Sequence, residues 1–386
     1  MACLGGVMAG MLRGRRIAAA DMSAVGAAPQ VEPPAAAGEA LDAAGAAGFR
    51  RDVEGSPIDH AAHHAPNPGG AVKPFRFLVG ARGLQDRRTL VEHARAAEAA
   101  GFTDLTVHDH LTRQLAPISL LTAVAMATDR LRLCPLVFNN DLRHPAVLAQ
   151  ELATLDILSE GRLVVGIGAG WNEPEYRSIA MAFDPPAVRI DRMLEAVAIL
   201  RGLFGDAPTD FQGRFYAIAH RDGQPKPLQR PHPPFLIGGT KERLLRIAAR
   251  EAEIVGMDLR QDRASLGDAF PARMDERVGW VREEAGDRFG DLELSVLRLL
   301  GPITITNEPL KAGAAVARQH EERTGLSIDP RDVLESPYSL IGSVPDLVAK
   351  LRDGRERWGI NSMLVGWLDE PELRDLAPVV EQLAGA

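Results

Sequence analysis

The chain has 386 residues, 44 of them basic and 52 acidic, which gives a formal net charge of -8 at pH 7. This acidic balance argues against a nucleic-acid partner. No run of about eighteen uncharged apolar residues occurs, which argues against a membrane span. Two cysteines, Cys3 and Cys134, are too few for a disulfide framework and contain no Cys-x-x-Cys motif, so we predict a reducing, cytoplasmic location.

Residues 1–72 differ in composition from the rest of the chain. They are rich in Ala, Gly and Pro, contain Phe49 as their only aromatic residue, and follow neither a helical nor a strand period. Such a segment buries too little apolar surface to offset its ordering entropy, so we predict a disordered N-terminal extension. Val72 directly precedes the first structured residues, and valine codons can initiate translation. A second hypothesis is therefore that the extension is not translated.

From residue 73 onward, short apolar runs alternate with amphipathic stretches. The first run predicts a buried strand, after which Leu90, Ala94 and Ala97 fall on one face of a helix that Gly101 is placed to end. The same unit recurs along the chain. The eight predicted strands are residues 75–80, 103–107, 131–137, 162–167, 234–238, 253–257, 293–299 and 360–365.

The predicted strands and helices together define a fold class. Residues 145–159 and 189–203 carry apolar side chains at helical spacing, and the strands are apolar without clean alternation, as parallel strands covered on both faces are. Eight strand and helix units predict an α/β protein with a (β/α)8 TIM barrel over residues 73–386, a doubly wound sheet being the alternative. Insertion segments interrupt it at 211–218, a predicted hairpin, and at 326–340.

The second predicted strand ends in His108-Asp109-His110. TIM barrels carry their chemistry where strands end, and alternate residues share a face, so both histidines can point into the barrel mouth. The His-x-His spacing raises a metal-dependent hydrolase as one hypothesis, but the fifth, sixth and eighth strands end without further histidines, and we predict no metal site. Two other interpretations of the motif remain. One of its histidines exchanges protons near neutral pH, or the histidine only caps the end of the strand.

Two glycine-rich segments follow other predicted strands. Gly166-Ile167-Gly168-Ala169-Gly170-Trp171 would let a flat or phosphorylated ligand approach the backbone, or would form only a tight turn. Gly238-Gly239-Thr240 precedes a helix, where backbone amides and the threonine hydroxyl would bind a phosphate, or would only turn the chain. The sequence lacks a Gly-x-Ser-x-Gly elbow, a Walker loop and any lysine in a predicted strand, which argues against serine-hydrolase, P-loop and Schiff-base chemistry. Glu173 and Glu175 are close together, but a pair in a loop is expected to be solvated surface rather than paired-carboxylate catalysts.

Two motifs resemble those of a known family. The first is RHPAVLAQ at residues 143–150, continued by TLDILSEGR at 154–162 and GIGAGW at 166–171; the second is RPHPPFLIGG at 230–239. Over residues 73–384 the chain thus resembles the luciferase-like monooxygenase superfamily, and within it the branch that uses the deazaflavin coenzyme F420. The resemblance implies a flavin-type cofactor at the C-terminal mouth of the barrel.

The resemblance also implies roles for individual residues. Leu136 and Val137 would form a bulge with a cis peptide against the tricyclic ring of the cofactor. His110 matches a histidine at the ring edge that assists hydride transfer, and Asp109 would orient or charge-stabilise its imidazole. The residues implied to line the ring are Gly168, Ala169, Gly170 and Trp171, and those implied to meet the phosphate are Gly238, Gly239 and Thr240.

These roles imply an F420-dependent oxidoreductase that transfers hydride between the cofactor and a small organic substrate. Relatives that oxidise sugar phosphates have a glutamate directly after the glycine turn, where this chain has Trp171, which favours an apolar or planar substrate. The alternatives are an FMN-dependent two-component monooxygenase that uses oxygen, a non-catalytic flavin-binding barrel and a metal-dependent hydrolase. A flavin or F420 reductase and a second copy of the chain, as a homodimer, are the implied protein partners.

Overall fold

The computed structural model describes residues 73–258, 270–297, 299–325, 327–336, 338–369 and 371–383. The predicted N-terminal extension, residues 1–72, lies outside these ranges. Within them, no helix is long and apolar enough to cross a bilayer.

Most of the strands belong to one parallel sheet that curls into a barrel. In chain order the strands of the described residues are β1 (Arg76–Ala81), β2 (Asp104–Val107), β3 (Arg132–Pro135), β4 (Phe138–Asn139), β5 (Val165–Gly168), β6 (Thr209–Gln212), β7 (Ala217–Arg221), β8 (Phe235–Gly239), β9 (Ile254–Met257), β10 (Glu293–Val296), β11 (Thr304–Ile305), β12 (Ile341–Gly342) and β13 (Ile360–Trp367). Neighbouring strands in the barrel follow the order β3-β2-β1-β13-β10-β9-β8-β5-β4.

The barrel confirms the predicted TIM fold, because all eight predicted strands occur and the sheet is parallel. The sheet has nine strands since the third predicted strand is interrupted after Pro135 and continues as β4. Its two halves meet different neighbours: β3 pairs with β2, and β4 with β5. Leu133 also exchanges backbone hydrogen bonds of 2.9 Å with Arg162 and Val164, which joins the two ends of the sheet. The doubly wound alternative is wrong.

Helices surround the barrel. Those of the described residues are α1 (Arg87–Ala99), α2 (Pro117–Ala125), α3 (Pro145–Leu158), α4 (Glu173–Ser178), α5 (Pro186–Phe204), α6 (Glu242–Glu251), α7 (Phe270–Ala285), α8 (Pro309–Thr324), α9 (Pro330–Glu335), α10 (Val344–Trp358) and α11 (Ala377–Leu383). The Asp86 carboxylate begins α1 by accepting from the Thr89 amide at 2.9 Å, and Gly101 follows its end at φ +86°, as predicted.

The predicted insertions also occur. The hairpin is the antiparallel pair β6 and β7, and the second insertion contains α9. One detail differs in the predicted helix 145–159: Leu148, Leu152 and Leu155 are buried, but Leu158 is 41% exposed. Leu158 is the last residue of α3, so helical spacing alone overestimates the buried stripe at the helix end.

Charged side chains fill the N-terminal end of the barrel. Asp104 is fully buried and accepts from Arg132 Nε at 2.7 Å, while Arg132 Nη2 reaches Glu293 at 3.2 Å and Arg76 reaches the same carboxylate at 3.0 Å. These pairs come from the first residues of β1, β2, β3 and β10. Because they occupy this end, a ligand is expected at the opposite end, where the strands terminate.

Lys350 of α10 offers a test of buried charge. Its ammonium donates to the Leu334 carbonyl, and burial lowers its pKa from 10.5 to about 8. The folded state therefore releases this proton at lower pH than the unfolded chain does, so the penalty for burying the charge is complete below pH 8 and disappears as the pH rises toward 10.5. We expect Lys350→Met to raise the free energy of unfolding by about 1–2 kcal/mol at pH 7 and to lose that gain near pH 10, in urea titrations. Lys311→Met, at an exposed lysine, is the control and is expected to be neutral at both pH values.

Candidate functional site

A cavity of about 420 Å³ opens at the C-terminal end of the barrel. This volume is within the usual range for small-molecule sites. Every residue that the sequence singled out for binding or catalysis lines it. These residues are Asp109, His110, Leu136, Val137, Gly168, Ala169, Gly170, Trp171, Gly238, Gly239 and Thr240.

The interruption between β3 and β4 forms part of the cavity wall. The Leu136–Val137 peptide is cis, as the family resemblance implied. Two glycines of β5 leave room beside it: a Cβ at Gly166 would lie 1.9 Å from the Pro135 carbonyl oxygen, and a Cβ at Gly168 would lie 2.5 Å from Val137 Cγ2. Both distances are far below van der Waals contact, so side chains at these two positions are incompatible with the wall as built.

The turn after β5 is held from two sides. Gly170 has φ +72°, and a Cβ on it would lie 2.0 Å from the Tyr176 hydroxyl oxygen. Arg189, buried on α5, donates to the Ala169 carbonyl at 3.1 Å and also to that of Gly170. The Tyr176 hydroxyl bonds Asn139 Oδ1 at 3.0 Å, and burial raises its pKa to about 12, which keeps the phenol neutral. The turn is therefore hydrogen-bonded to α5 and packs against a hydroxyl that is itself bonded to β4.

Sequence reasoning did not single out Arg189 or Tyr176. The signal that was available for Arg189 is its place among apolar residues on the predicted helix 189–203, where a charged side chain in a buried position requires partners. Tyr176 carried no such signal, because its partners lie far away in the chain.

His110 lines the cavity, and its ring contacts Glu175 and Trp171. Its Nδ1 lies 3.0 Å from Glu175 Oε2, and its ring meets the Trp171 ring edge-on with 5.5 Å between centroids. Glu175 is 8% exposed, whereas Trp171 is 43% exposed. The sequence predicts that the side chains of Glu173 and Glu175 are both exposed to solvent. That interpretation fits Glu173, an exposed partner of Arg177, but is wrong for Glu175.

The expectation for Asp109 requires a correction. Its carboxylate is buried and accepts from both terminal nitrogens of Arg143 and, at 3.0 Å, from the Asn139 amide. It thus anchors β4 and the start of the segment that leads to α3, and the carboxylate that bonds the His110 imidazole belongs to Glu175. Asp109 and His110 are adjacent in the segment after β2, but their side chains bond different partners.

The second histidine of the motif has a different environment. His108 Nδ1 bonds the Leu136 carbonyl, its ring meets Trp367 at 5.2 Å, and the rings of His108 and His110 are 5.9 Å apart. Throughout the described ranges, no group of three or more His, Cys, Asp or Glu residues is arranged to hold a metal ion.

The corner between β8 and α6 has the character of an anion site. Gly238, Gly239 and Thr240 lead into the first turn of α6, where backbone amides and the helix dipole favour negative charge. Lys241 and Arg243 line the same part of the wall. This donor set fits a phosphate, and the small residues Gly168, Ala169 and Gly170 line the cavity beside Leu136 and Val137. The residues present are therefore compatible with a flavin-type cofactor.

A barrel whose mouth combines a broken third strand, a glycine turn and an anion-binding corner can hold a flat, phosphorylated ligand. The model of the luciferase-like monooxygenase family matches residues 68–296, more than half of the chain. The chain belongs to this family of oxidoreductases.

A relative of known activity depends on reduced FMN. An FMNH2-dependent dimethylsulfone monooxygenase of Pseudomonas putida is 29% identical over 166 residues, which are 42% of this chain and 46% of that protein. The chain spans about half the length of the curated relatives it matches first.

Solved structures with either cofactor share the fold. A coenzyme F420-dependent tetrahydromethanopterin reductase of Methanopyrus kandleri has a TM-score of 0.63 at 19% identity, over 81% of this chain and 99% of that one. The oxygenating constituent of the 3,6-diketocamphane monooxygenase of Pseudomonas putida, in complex with FMN, has a TM-score of 0.62 at 15% identity, also over 81% and 99%. At these identities the likeness establishes the fold.

Proposed function

We propose that this chain is an F420-dependent oxidoreductase that transfers hydride between the deazaflavin and a small organic substrate. The proposal depends on the position of His110 in the cavity wall. Its Nδ1 is bonded to Glu175, so Nε2 is the ring nitrogen that would exchange a proton with a substrate. When bound, the cofactor would supply or accept the hydride. The protein would contribute position, a proton carrier and exclusion of water.

Two parts of the wall would hold the cofactor. Leu136 and Val137 would contact one face of the ring, and the Gly168 to Trp171 turn would line the ring or its side chain. Gly238, Gly239 and Thr240 would bind the phosphate, with Lys241 adding positive charge. Support for this division comes from the cavity wall, which both segments line, and from the first turn of α6, which follows Thr240 closely in the chain.

His110 would carry the proton that accompanies the hydride. In the oxidation of an alcohol, its Nε2 would take the hydroxyl proton as hydride leaves the carbon; in the reverse reaction it would return that proton. Trp171 stands edge-on to the same ring and is partly exposed. An indole in this position favours an apolar or planar substrate next to His110.

The FMN alternative has specific support in the Pseudomonas putida relative, which is FMNH2-dependent. The same cavity would then bind reduced FMN, the substrate would be oxygenated, and a separate flavin reductase would be the partner. F420 and FMN would contact the same wall residues. The two proposed activities are therefore distinguished by which of the two cofactors the protein binds more tightly.

The proposal is tested by titrating the full chain with F420 and, separately, with FMN, each in both redox states. Binding is measured by ligand fluorescence or by equilibrium dialysis. We expect a micromolar dissociation constant for F420 and binding of FMN weaker by at least about tenfold. The reverse preference would establish the FMN alternative, and binding of neither would refute both. Riboflavin, which is FMN without its phosphate, is the matched probe of the corner before α6.

A further inference from the structure

Glu175 is buried in the cavity wall and bonds the proposed proton carrier, although the family resemblance gave it no role. We propose that Glu175 is a positioning residue that acts through His110: it fixes the imidazole tautomer with hydrogen on Nδ1 and leaves Nε2 to exchange the proton with substrate. This inference rests on the proposed function of His110, but its first test requires neither cofactor nor substrate.

The contact between the two side chains is direct and protected. Glu175 Oε2 lies 3.0 Å from His110 Nδ1, and the side chains are 9% and 22% exposed. The other carboxylate oxygen, Oε1, is buried and accepts no hydrogen bond from any residue that the structure describes. A buried carboxylate is stable only with partners, so the imidazole is the group that stabilises this one.

The backbone beneath Glu175 is held in place. The next residue, Tyr176, is fully buried and bonds Asn139, while Ser178 Oγ donates to the Glu175 carbonyl at 2.7 Å. Tyr176 also occupies the space beside Gly170. Glu175 therefore approaches His110 from a short helix that is anchored to β4, which is the rigidity that a positioning residue requires.

The chemistry of the pair assigns the tautomer. An ionised carboxylate only accepts hydrogen bonds, so the imidazole nitrogen that bonds it carries the hydrogen. In the neutral ring, Nε2 is then the basic nitrogen. If Nε2 took a hydroxyl proton from an alcohol, the O–H bond would break and an N–H bond would form. The C–H bond would break at the same time, a bound oxidised cofactor would accept the hydride, and a carbonyl compound would remain. The positive charge that forms on the ring lies beside the Glu175 carboxylate, which stabilises it.

Neighbouring carboxylates are not equivalent to Glu175. Asp109 is adjacent to His110 in the chain, but its oxygens bond Arg143 and the Asn139 amide. Glu173 lies on the same short helix as Glu175, is more than half exposed, and pairs with Arg177 at 2.7 Å. Glu173 is therefore a matched control, since it has the same side chain within the same turn.

The experiment is nitrogen NMR of the full chain with 15N-labelled histidine, without cofactor, above the pH at which the rings titrate. The His110 signals are assigned by their loss in His110→Asn. For the wild type we expect a protonated Nδ1 and an unprotonated Nε2. Glu175→Met keeps the volume but removes both oxygens, so we expect the Nε2–H tautomer to become dominant. Glu175→Gln retains one acceptor oxygen, and we expect it to keep the Nδ1–H tautomer as the major form.

Glu173→Met is expected to leave every His110 signal unchanged. A wild-type ring protonated on Nε2 would overturn the proposal without any variant, as would a Glu175→Met ring that keeps its hydrogen on Nδ1. In turnover assays, we expect kcat to fall about tenfold in Glu175→Met and KM to change little, with partial recovery in Glu175→Gln. A wild-type Nδ1–H tautomer together with unchanged turnover in His110→Ala would support the positioning role and refute the proposed function, so the two failures are distinguishable.

Discussion

Replacing His110 by alanine is expected to lower turnover about a hundredfold while the dissociation constant of the cofactor changes little. The imidazole is the proton carrier in the proposed reaction, and loss of a general acid or base usually lowers rates by about a hundredfold or more. Cofactor affinity should persist, because the phosphate corner before α6 and the glycine turn after β5 are built from other residues. The measurements are F420 absorbance in a substrate screen and a fluorescence titration of each protein.

A conservative variant separates proton transfer from packing. His110→Asn keeps a polar side chain that can donate to Glu175 but does not titrate, so we expect nearly the same loss of turnover as in the alanine variant. His220→Ala is the control, since His220 is an exposed histidine paired with Asp210 outside the cavity wall. Wild-type turnover in His110→Asn would remove His110 from the mechanism.

The barrel was predictable because its signal is local. Parallel strands covered on both faces consist of short apolar runs, and each run of this kind in the sequence became a strand of the sheet. The positions of the site residues were predictable for the same reason, since strand ends in a barrel converge on one mouth. The family resemblance, rather than a local pattern, predicted the interruption of the third strand at Leu136 and Val137, and the structure contains it.

The side-chain pairings in the site were not predictable from the sequence. His110 and Glu175 are 65 positions apart, and Asp109 and Arg143 are 34 apart. Adjacency suggested Asp109 as the partner of His110, but the fold brings Glu175 to the imidazole and gives Asp109 other partners. The choice between Glu173 and Glu175 depends on which one α4 turns toward the barrel. Its start at Glu173 and the buried Tyr176 determine that orientation.

Adding one methyl group at Gly166 or at Gly168 is expected to damage the cavity wall in two different ways. A Cβ at Gly166 would lie 1.9 Å from the Pro135 carbonyl oxygen, which is backbone and cannot rotate away. We expect Gly166→Ala to lower the free energy of unfolding by about 3 kcal/mol, measured by urea titration. A Cβ at Gly168 would instead lie 2.5 Å from Val137 Cγ2, a side-chain atom.

Gly168→Ala is therefore expected to fold and to bind the cofactor less well. The displaced Val137 side chain also lines the cavity, so we expect the dissociation constant of the preferred cofactor to rise at least about tenfold. Because the clash involves only the Val137 side chain, the double variant Gly168→Ala with Val137→Ala should recover affinity to within about threefold of Val137→Ala alone. The same second substitution should not rescue Gly166→Ala, since its clash is with backbone. Recovery in both pairs, or in neither, would contradict this account of how β5 supports the interrupted strand.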